Sequence, residues 1–167
     1  EQEIKHSAYD AQIRIVQGCA IDCLYLVKLL LEEALKSLDG TLKIPQQYVT
    51  VNNNFIDESL NYTQGLVVAI LSESIKRLSK EHIQGIEETI AGIIFRILGG
   101  GVQTLYSQEE AFMAVGHFAE ILESGFHVFE EQYSTLLKAA IDTSNKVVVI
   151  DHPEIAIQAM GSLGDVC

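Results

Sequence analysis

The 167-residue sequence has no tryptophan, only two prolines and only three cysteines. Three cysteines cannot form a disulfide framework, and without a secretory segment they indicate a reduced, intracellular protein. No apolar run approaches the roughly 20 residues of a membrane span, because Lys28 and Arg96 interrupt the two best candidates. The N-terminus has no signal-peptide pattern. Since the chain starts at Glu1 and stops at Cys167 inside a helical pattern, we expect a fragment cut from a longer protein.

Basic residues are scarce in the second half of the chain. Residues 81–167 hold 3 basic and 13 acidic side chains, whereas residues 1–80 hold 8 and 10. The formal net charge of -12 argues against nucleic acids and anionic membranes as partners and favours basic ones. With 48% hydrophobic residues, the chain has enough apolar surface to exclude a disordered protein.

Residue patterns typical of catalytic or metal sites are also rare. Glu3-x-x-His6 is the only such pair in the chain, and di-metal carboxylate bundles need two. Cys19 and Cys23 have no further zinc ligands at suitable spacing and are interpreted as small buried side chains. The glycines at 99–101 lack the Lys-Ser/Thr of a phosphate loop. We therefore predict a non-enzymatic protein without cofactor or metal. An α-helical metalloprotein is kept as an alternative hypothesis.

The main positive feature is a 3.6-residue hydrophobic period along most of the chain. It predicts helix pairs at about 3–39, 57–98 and 107–141, a lone helix at 153–166, and long loops at 40–56 and 142–151. Helix pairs that repeat every 40–45 residues or so are typical of an α-solenoid. The predicted fold is a single all-α superhelix over residues 1–167, with about seven helices in three and a half repeats.

Several helix ends have their own signals. Asp39-Gly40 is predicted to end the second helix, since glycine is a natural helix stop. Ser107 followed by Glu110 fits a capping box, and the helix dipole would explain Glu109 and Glu110 there. The alternating residues 48–51 allow a short strand, but we predict a loop.

Three short blocks resemble the importin-β (karyopherin-β) family of HEAT-repeat proteins. They are SAYDAQIRIVQGCAIDC at 7–23, SQEEAFMAVGHFAEILES at 107–124 and AIQAMGSLGDVC at 156–167. The second block has the family's acidic pair before A-hydrophobic-M-A-V. The third ends in G-S-L-G-D-V-C, which is similar to the family's G-hydrophobic-G-D-hydrophobic-C with Ser162 inserted. Their order and spacing match over essentially the whole chain, apart from the two long loops. The resemblance implies HEAT repeats from the middle-to-C-terminal part of a nuclear import receptor.

The resemblance also implies partners and a location. Receptors of this family bind basic cargo signals, or the basic importin-β-binding segment of importin-α, on the concave face. They bind Ran-GTP on overlapping concave surface and Phe-Gly nucleoporins on the convex face. The expected location is the cytoplasm, the nucleus and the nuclear pore. The alternative is a HEAT-repeat scaffold or adaptor subunit unrelated to transport.

Acidic pairs on the second helices are the candidate cargo site. Glu87 and Glu88 lie on the non-core side of one second helix, and Glu130 and Glu131 lie on the next. The earlier pair, residues 32–33, is mixed with leucines. Such a series, called here the acidic ladder, suits a Lys/Arg-rich ligand or a Ran-facing surface through charge-assisted hydrogen bonds. The alternative is a solvated face that keeps the protein soluble.

The first helices supply the candidate nucleoporin site. Phe112, Val115 and Ile155 could border a shallow groove between adjacent first helices that accepts a phenylalanine side chain. The alternative interpretation of the same three residues is ordinary core between repeats.

Overall fold

Helices make up most of the described chain. The computed structural model describes residues 2–43, 50–51, 55–56, 58–100, 104–141, 157 and 161–162. The helices are α1 (Gln2–Gly18), α2 (Leu24–Leu42), α3 (Glu58–Arg77), α4 (Lys80–Ile83), α5 (Glu87–Leu98), α6 (Leu105–Leu122) and α7 (Glu130–Ile141). Two 3₁₀ segments, Ile21–Cys23 and Glu123–Phe129, lead into α2 and α7. The predicted all-α class is confirmed.

The helices form two layers that run along the repeats. The first helices of the three pairs, α1, α3 and α6, pack side by side, and α3 has the most extensive contacts. The second helices, α2, α5 and α7, form the other layer and contact each other more sparsely. Each helix buries one apolar stripe between the layers. Fully buried members of this core include Leu31, Leu38, Leu71, Ile75, Ile90, Ile94, Ile97, Phe118 and Tyr133.

Most of the described residues within 40–56 are helical or paired in strands. Helix α2 does not end at Asp39-Gly40 but continues to Leu42, and the Thr41 hydroxyl donates a hydrogen bond of 2.9 Å to the Leu38 carbonyl in its last turn. Two short strands follow, β1 (Thr50–Val51) and β2 (Phe55–Ile56). They pair antiparallel, with Thr50 opposite Ile56. Residues 40–42 and the two strands therefore depart from the predicted loop.

The second helix of the second pair is divided in two. Gly85 has a φ of 86° and separates α4 from α5. This conformation is strained for residues with a Cβ and costs glycine little. The turn sets the start of α5 at Glu87, so the second helix of the predicted pair 57–98 consists of two helical segments.

Helix α6 begins before the predicted cap. It starts at Leu105, and Ser107 is fully buried inside its first turn. The Ser107 hydroxyl lies 2.8 Å from the Thr104 carbonyl and 2.9 Å from Gln64 Oε1 of α3, and its single proton is shared between these two acceptors. The predicted capping box was therefore wrong, because tertiary packing uses the Ser107 hydroxyl within the core.

The last predicted elements are only partly described. Ile157 and residues 161–162 are helical, within the predicted helix 153–166. The buried Tyr133 hydroxyl of α7 is hydrogen-bonded to the Ser162 hydroxyl, which joins that helix to the third pair. The rest of 153–166 and the predicted loop 142–151 lie outside the described residues.

Candidate functional site

A groove of about 550 Å³ lies between α2 and α5, on the layer of second helices. It forms here because these two helices pack on the first layer more than on each other. Its lining comprises Glu32, Leu35, Lys36 and Asp39 of α2, and Ile86, Glu88, Thr89, Gly92, Ile93 and Arg96 at or within α5. Leu35 and Ile93 are each 5% exposed and supply an apolar floor, while the charged side chains form the rim. We call this site the α2–α5 groove.

The two walls of the groove run parallel. Asp39 of α2 and Arg96 of α5 meet at 2.9 Å. All other lining residues precede these two in their own helices. If the two helices were antiparallel, the residues before Asp39 in α2 would lie beside the residues after Arg96 in α5. Glu32 and Glu88 therefore lie at the same end of the groove, each roughly two turns or about 11 Å along its helix from the Asp39–Arg96 bridge.

At one end of the groove, the acidic side chain is paired with basic side chains. Asp39 accepts hydrogen bonds from Lys43, directly after the end of α2, and from Arg96 across the groove. These bonds, first that of Lys43 and then that of Arg96, lower the pKa of Asp39 below its usual value. The carboxylate and both cations are exposed to water, so the bridge adds little to stability but does neutralise this end.

The other end of the groove has more carboxylates than cations. The Lys36 ammonium is 2.7 Å from Glu33, and this hydrogen bond raises the pKa of Lys36 above its usual value, with a smaller contribution from Glu32. Among the described residues, neither Glu32 nor Glu88 forms a salt bridge. The groove thus combines an apolar floor, a negative end and a neutral end.

The four glutamates of the acidic ladder have different environments. Glu88 is exposed and lines the groove, whereas Glu87 is half-buried and accepts a hydrogen bond of 2.6 Å from the Gly85 backbone N–H. Glu130 and Glu131 are exposed in the first turn of α7. All four lie in first turns, where the helix dipole favours carboxylates. The structure brings only Glu88 into the groove, so a continuous ladder stays a prediction.

The residues predicted to border a nucleoporin groove are core residues where they are described. Phe112 and Val115 of α6 are 1% and 0% exposed. They pack between the two layers and offer no surface to a ligand. Ile155 lies outside the described residues. A phenylalanine-binding groove on the first-helix layer would have to use other side chains.

A buried polar bridge across all three helix pairs has no signal in the sequence. The Gln64 side chain in α3 donates a hydrogen bond of 3.2 Å to the Thr41 hydroxyl of α2 and accepts one of 2.9 Å from Ser107 of α6. Thr104, just before α6, donates to the Ile97 carbonyl at 2.5 Å. Thr41 and Ser107 lie 23 and 43 positions from Gln64 in the sequence, so no local pattern joins them. The bridge fixes how the helix pairs stack and thereby positions the groove.

Glu110 has the most perturbed carboxyl group of the described residues. It is half-buried in α6, near Glu109 on its own helix and Glu73 on α3. Burial, followed by these two negative charges, raises its pKa from 4.5 to about 7. Because α6 begins at Leu105, Glu109 and Glu110 lie in its second turn. The explanation by a helix start therefore fails for them.

The described residues show neither a metal site nor a membrane span. No group of three or more His, Cys, Asp or Glu side chains among them could hold a metal ion. None of the described helices is both long and apolar enough to cross a membrane.

Two stacked layers, one of first helices and one of second helices, define an α-solenoid of HEAT-type repeats. The family model of importin subunit beta-1-like TPR repeats matches residues 1–167 of this chain. The chain therefore belongs to the importin-β family, which confirms the resemblance seen in the sequence. None of the curated proteins matches the chain.

Solved structures of importin β superpose on nearly the whole chain. A crystal structure of importin beta in an ammonium sulfate condition matches with a TM-score of 0.82 and 25% identity, covering 99% of this chain and 18% of its own. The polyethylene glycol form gives the same TM-score and identity, with 19% of its chain covered. A chain of the Kap95:Nup1 complex matches with a TM-score of 0.79, 20% identity, and coverage of 96% and 17%. This chain thus spans about a fifth of the importin β chains it matches.

Proposed function

We propose that this protein contributes a cargo-binding segment to a nuclear import receptor and works by binding alone. The observation that carries the proposal is the α2–α5 groove, with Glu32 and Glu88 at one end, whose carboxylates form no salt bridge among the described residues. In this family the second helices are expected to line the concave face. Basic cargo, or the basic importin-β-binding segment of importin-α, would then meet these carboxylates through charge-assisted hydrogen bonds.

The proposal also includes two further partners, Ran-GTP and Phe-Gly nucleoporins, and a cellular location. Ran-GTP would displace cargo from the same layer of second helices. Nucleoporins would bind the layer of first helices, which is consistent with the structural likeness to Kap95, a chain solved in complex with Nup1. We propose the cytoplasm, the nucleus and the nuclear pore as the places where the protein acts.

The test is the binding of a fluorescent Lys/Arg-rich peptide, followed by anisotropy over a range of salt concentrations. Exposed ion pairs contribute about 0.2–1 kcal/mol each, so we expect the E32Q/E88Q double variant to bind several-fold to about tenfold more weakly. Its salt dependence should also be shallower, because fewer charge pairs remain to be screened.

Two further variants locate the effect. E130Q/E131Q tests whether the acidic side chains of α7 belong to the same surface. E120Q is the matched control, because Glu120 is exposed on α6 in the other layer. Unchanged affinity and salt slope in E32Q/E88Q would refute a cargo site in the groove.

A further inference from the structure

Gly92 leaves a gap in the wall of the α2–α5 groove. It lies in the middle of α5 between two buried residues, yet is itself exposed. A Cβ built at this position meets no described atom within 4 Å. Its φ is not in the left-handed region that requires glycine, the only such glycine among the described residues being Gly85. Glycine destabilises a helix interior relative to alanine. Neither packing nor backbone geometry therefore explains glycine here.

The gap opens the backbone of α5 to the centre of the groove. Gly92 is one of the lining residues, beside the apolar side chains of Leu35 and Ile93. The groove volume of about 550 Å³ is within the range of small-ligand pockets, roughly 300–1,000 Å³. An alanine or larger residue at position 92 would fill part of this space. The arrangement suits an apolar side chain that enters from solvent and packs against the helix backbone.

The charges define what accompanies this side chain. A cation on the occupant is favoured at the end of Glu32 and Glu88, whose carboxylates have no salt bridge among the described residues. An anion is disfavoured along the rest of the rim, since Lys36 and Arg96 are already engaged by carboxylates. The charges therefore favour a basic occupant, and the apolar floor favours one apolar side chain on it.

We propose that the α2–α5 groove is a subsite for one leucine-like side chain of a basic peptide, packed on the backbone of Gly92, with a neighbouring lysine or arginine between Glu32 and Glu88. This rests on the proposed function and adds a requirement to it. Basic charge alone would not give full affinity, because the apolar floor must also be covered. The groove would distinguish a basic segment with a suitably placed apolar residue from one without it.

The experiment uses two peptides and two glycine variants of the full chain. One peptide consists of lysine, arginine and glycine with a single central leucine, and the other has serine in place of that leucine. G92L fills the groove. G40L is the matched control, because Gly40 is also a helical, exposed glycine with no described atom within 4 Å of a built Cβ, but does not line the groove.

We expect the leucine peptide to bind the unmodified protein about tenfold more tightly than the serine peptide, since burying a leucine side chain is worth that factor or more. G92L should abolish this difference and G40L should keep it. Methyl NMR signals of Leu35 and Ile93 should shift with the leucine peptide and not with the serine peptide. G92A should raise the melting temperature by about 2–4 °C while weakening the leucine peptide, which separates the binding role of Gly92 from a role in folding.

The outcomes separate this inference from the proposed function. If both peptides bind equally and G92L changes nothing, the subsite is refuted, while a loss in E32Q/E88Q would leave the basic-cargo function standing. If an acidic peptide displaces the leucine peptide from the groove, the predicted occupant is wrong. If neither basic peptide binds, both the subsite and the proposed function fail.

Discussion

Replacing Glu110 by glutamine should stabilise the protein at neutral and alkaline pH. The folded state raises the pKa of this carboxyl from 4.5 to about 7, through burial and the charges of Glu109 and Glu73. Between these two values the folded chain binds more protons than the unfolded chain. The free energy of unfolding therefore falls as the pH rises through this window, and the penalty is complete above about pH 7. Glutamine has nearly the same shape and cannot ionise, so it removes the penalty.

The size of the effect follows from the pKa. Each pH unit between the two values is worth about 1.4 kcal/mol, which sets a ceiling of roughly 3.5 kcal/mol. Glu110 is only half-buried, so water screens its charge and we expect about 1 kcal/mol. For a chain of this length that corresponds to an increase of about 2–4 °C in melting temperature at pH 8.

The assay is urea unfolding of the unmodified protein, E110Q and E120Q from about pH 5 to about pH 8. Glu120 is the control because it is exposed on the same helix. E110Q should be more stable than the unmodified protein at pH 8, with the gap closing towards pH 5, and E120Q should follow the unmodified protein throughout. A gap that stays constant with pH, or an E110Q variant that is less stable at pH 8, would refute the assigned environment of Glu110.

Two further predictions concern the core. S107A should lower the free energy of unfolding by about 1–3 kcal/mol in urea titrations, because Gln64 loses a buried donor, while S37A on the exposed side of α2 should change it little; equal effects would contradict the role given to the bridge. L31A should cost about 2–5 kcal/mol, since Leu31 is fully buried, whereas L29A in the same helix should stay within about 0.5 kcal/mol because Leu29 is 54% exposed. Similar losses in both leucine variants would mean that the face of α2 turned to the core is wrongly assigned.

The helices and their grouping into pairs could be predicted because helix formation has a local signal. The 3.6-residue spacing of apolar residues in α2, α5 and α6 marks the face that each helix buries. Boundaries were predicted less well. Asp39-Gly40 has the features of a helix end, yet α2 continues to Leu42, and Thr41 in its last turn accepts a hydrogen bond from Gln64 of α3. Ser107 has the features of a cap, yet Gln64 from another repeat takes its hydroxyl into the core. In both cases a partner distant in sequence outweighs a local preference.

The candidate site was predictable only in part. Glu88 was identified because acidic residues on the outer side of a second helix are visible in the periodicity. Gly92 and Arg96 were not identified, because a glycine within an isoleucine-rich helix and a single arginine carry no signal until α2 is placed beside them. Phe112 and Val115 were misplaced because periodicity gives the apolar face of α6 without saying whether another helix covers it. Here the covering helices leave 1% and 0% of these side chains exposed.

The sequence by itself determined the fold class, the excess of acidic residues and, through three short blocks, the importin-β family. These properties depend on composition and on residues close together in the chain. Only the tertiary structure decided which charges are free to bind a ligand. Asp39 and Arg96 neutralise each other between α2 and α5, and Glu110 is half-buried with a raised pKa. Charge counts in the sequence treat all carboxylates alike, whereas packing gives each one its own partners and solvent access. This is why Glu32 and Glu88, rather than the net charge of -12, define the candidate surface.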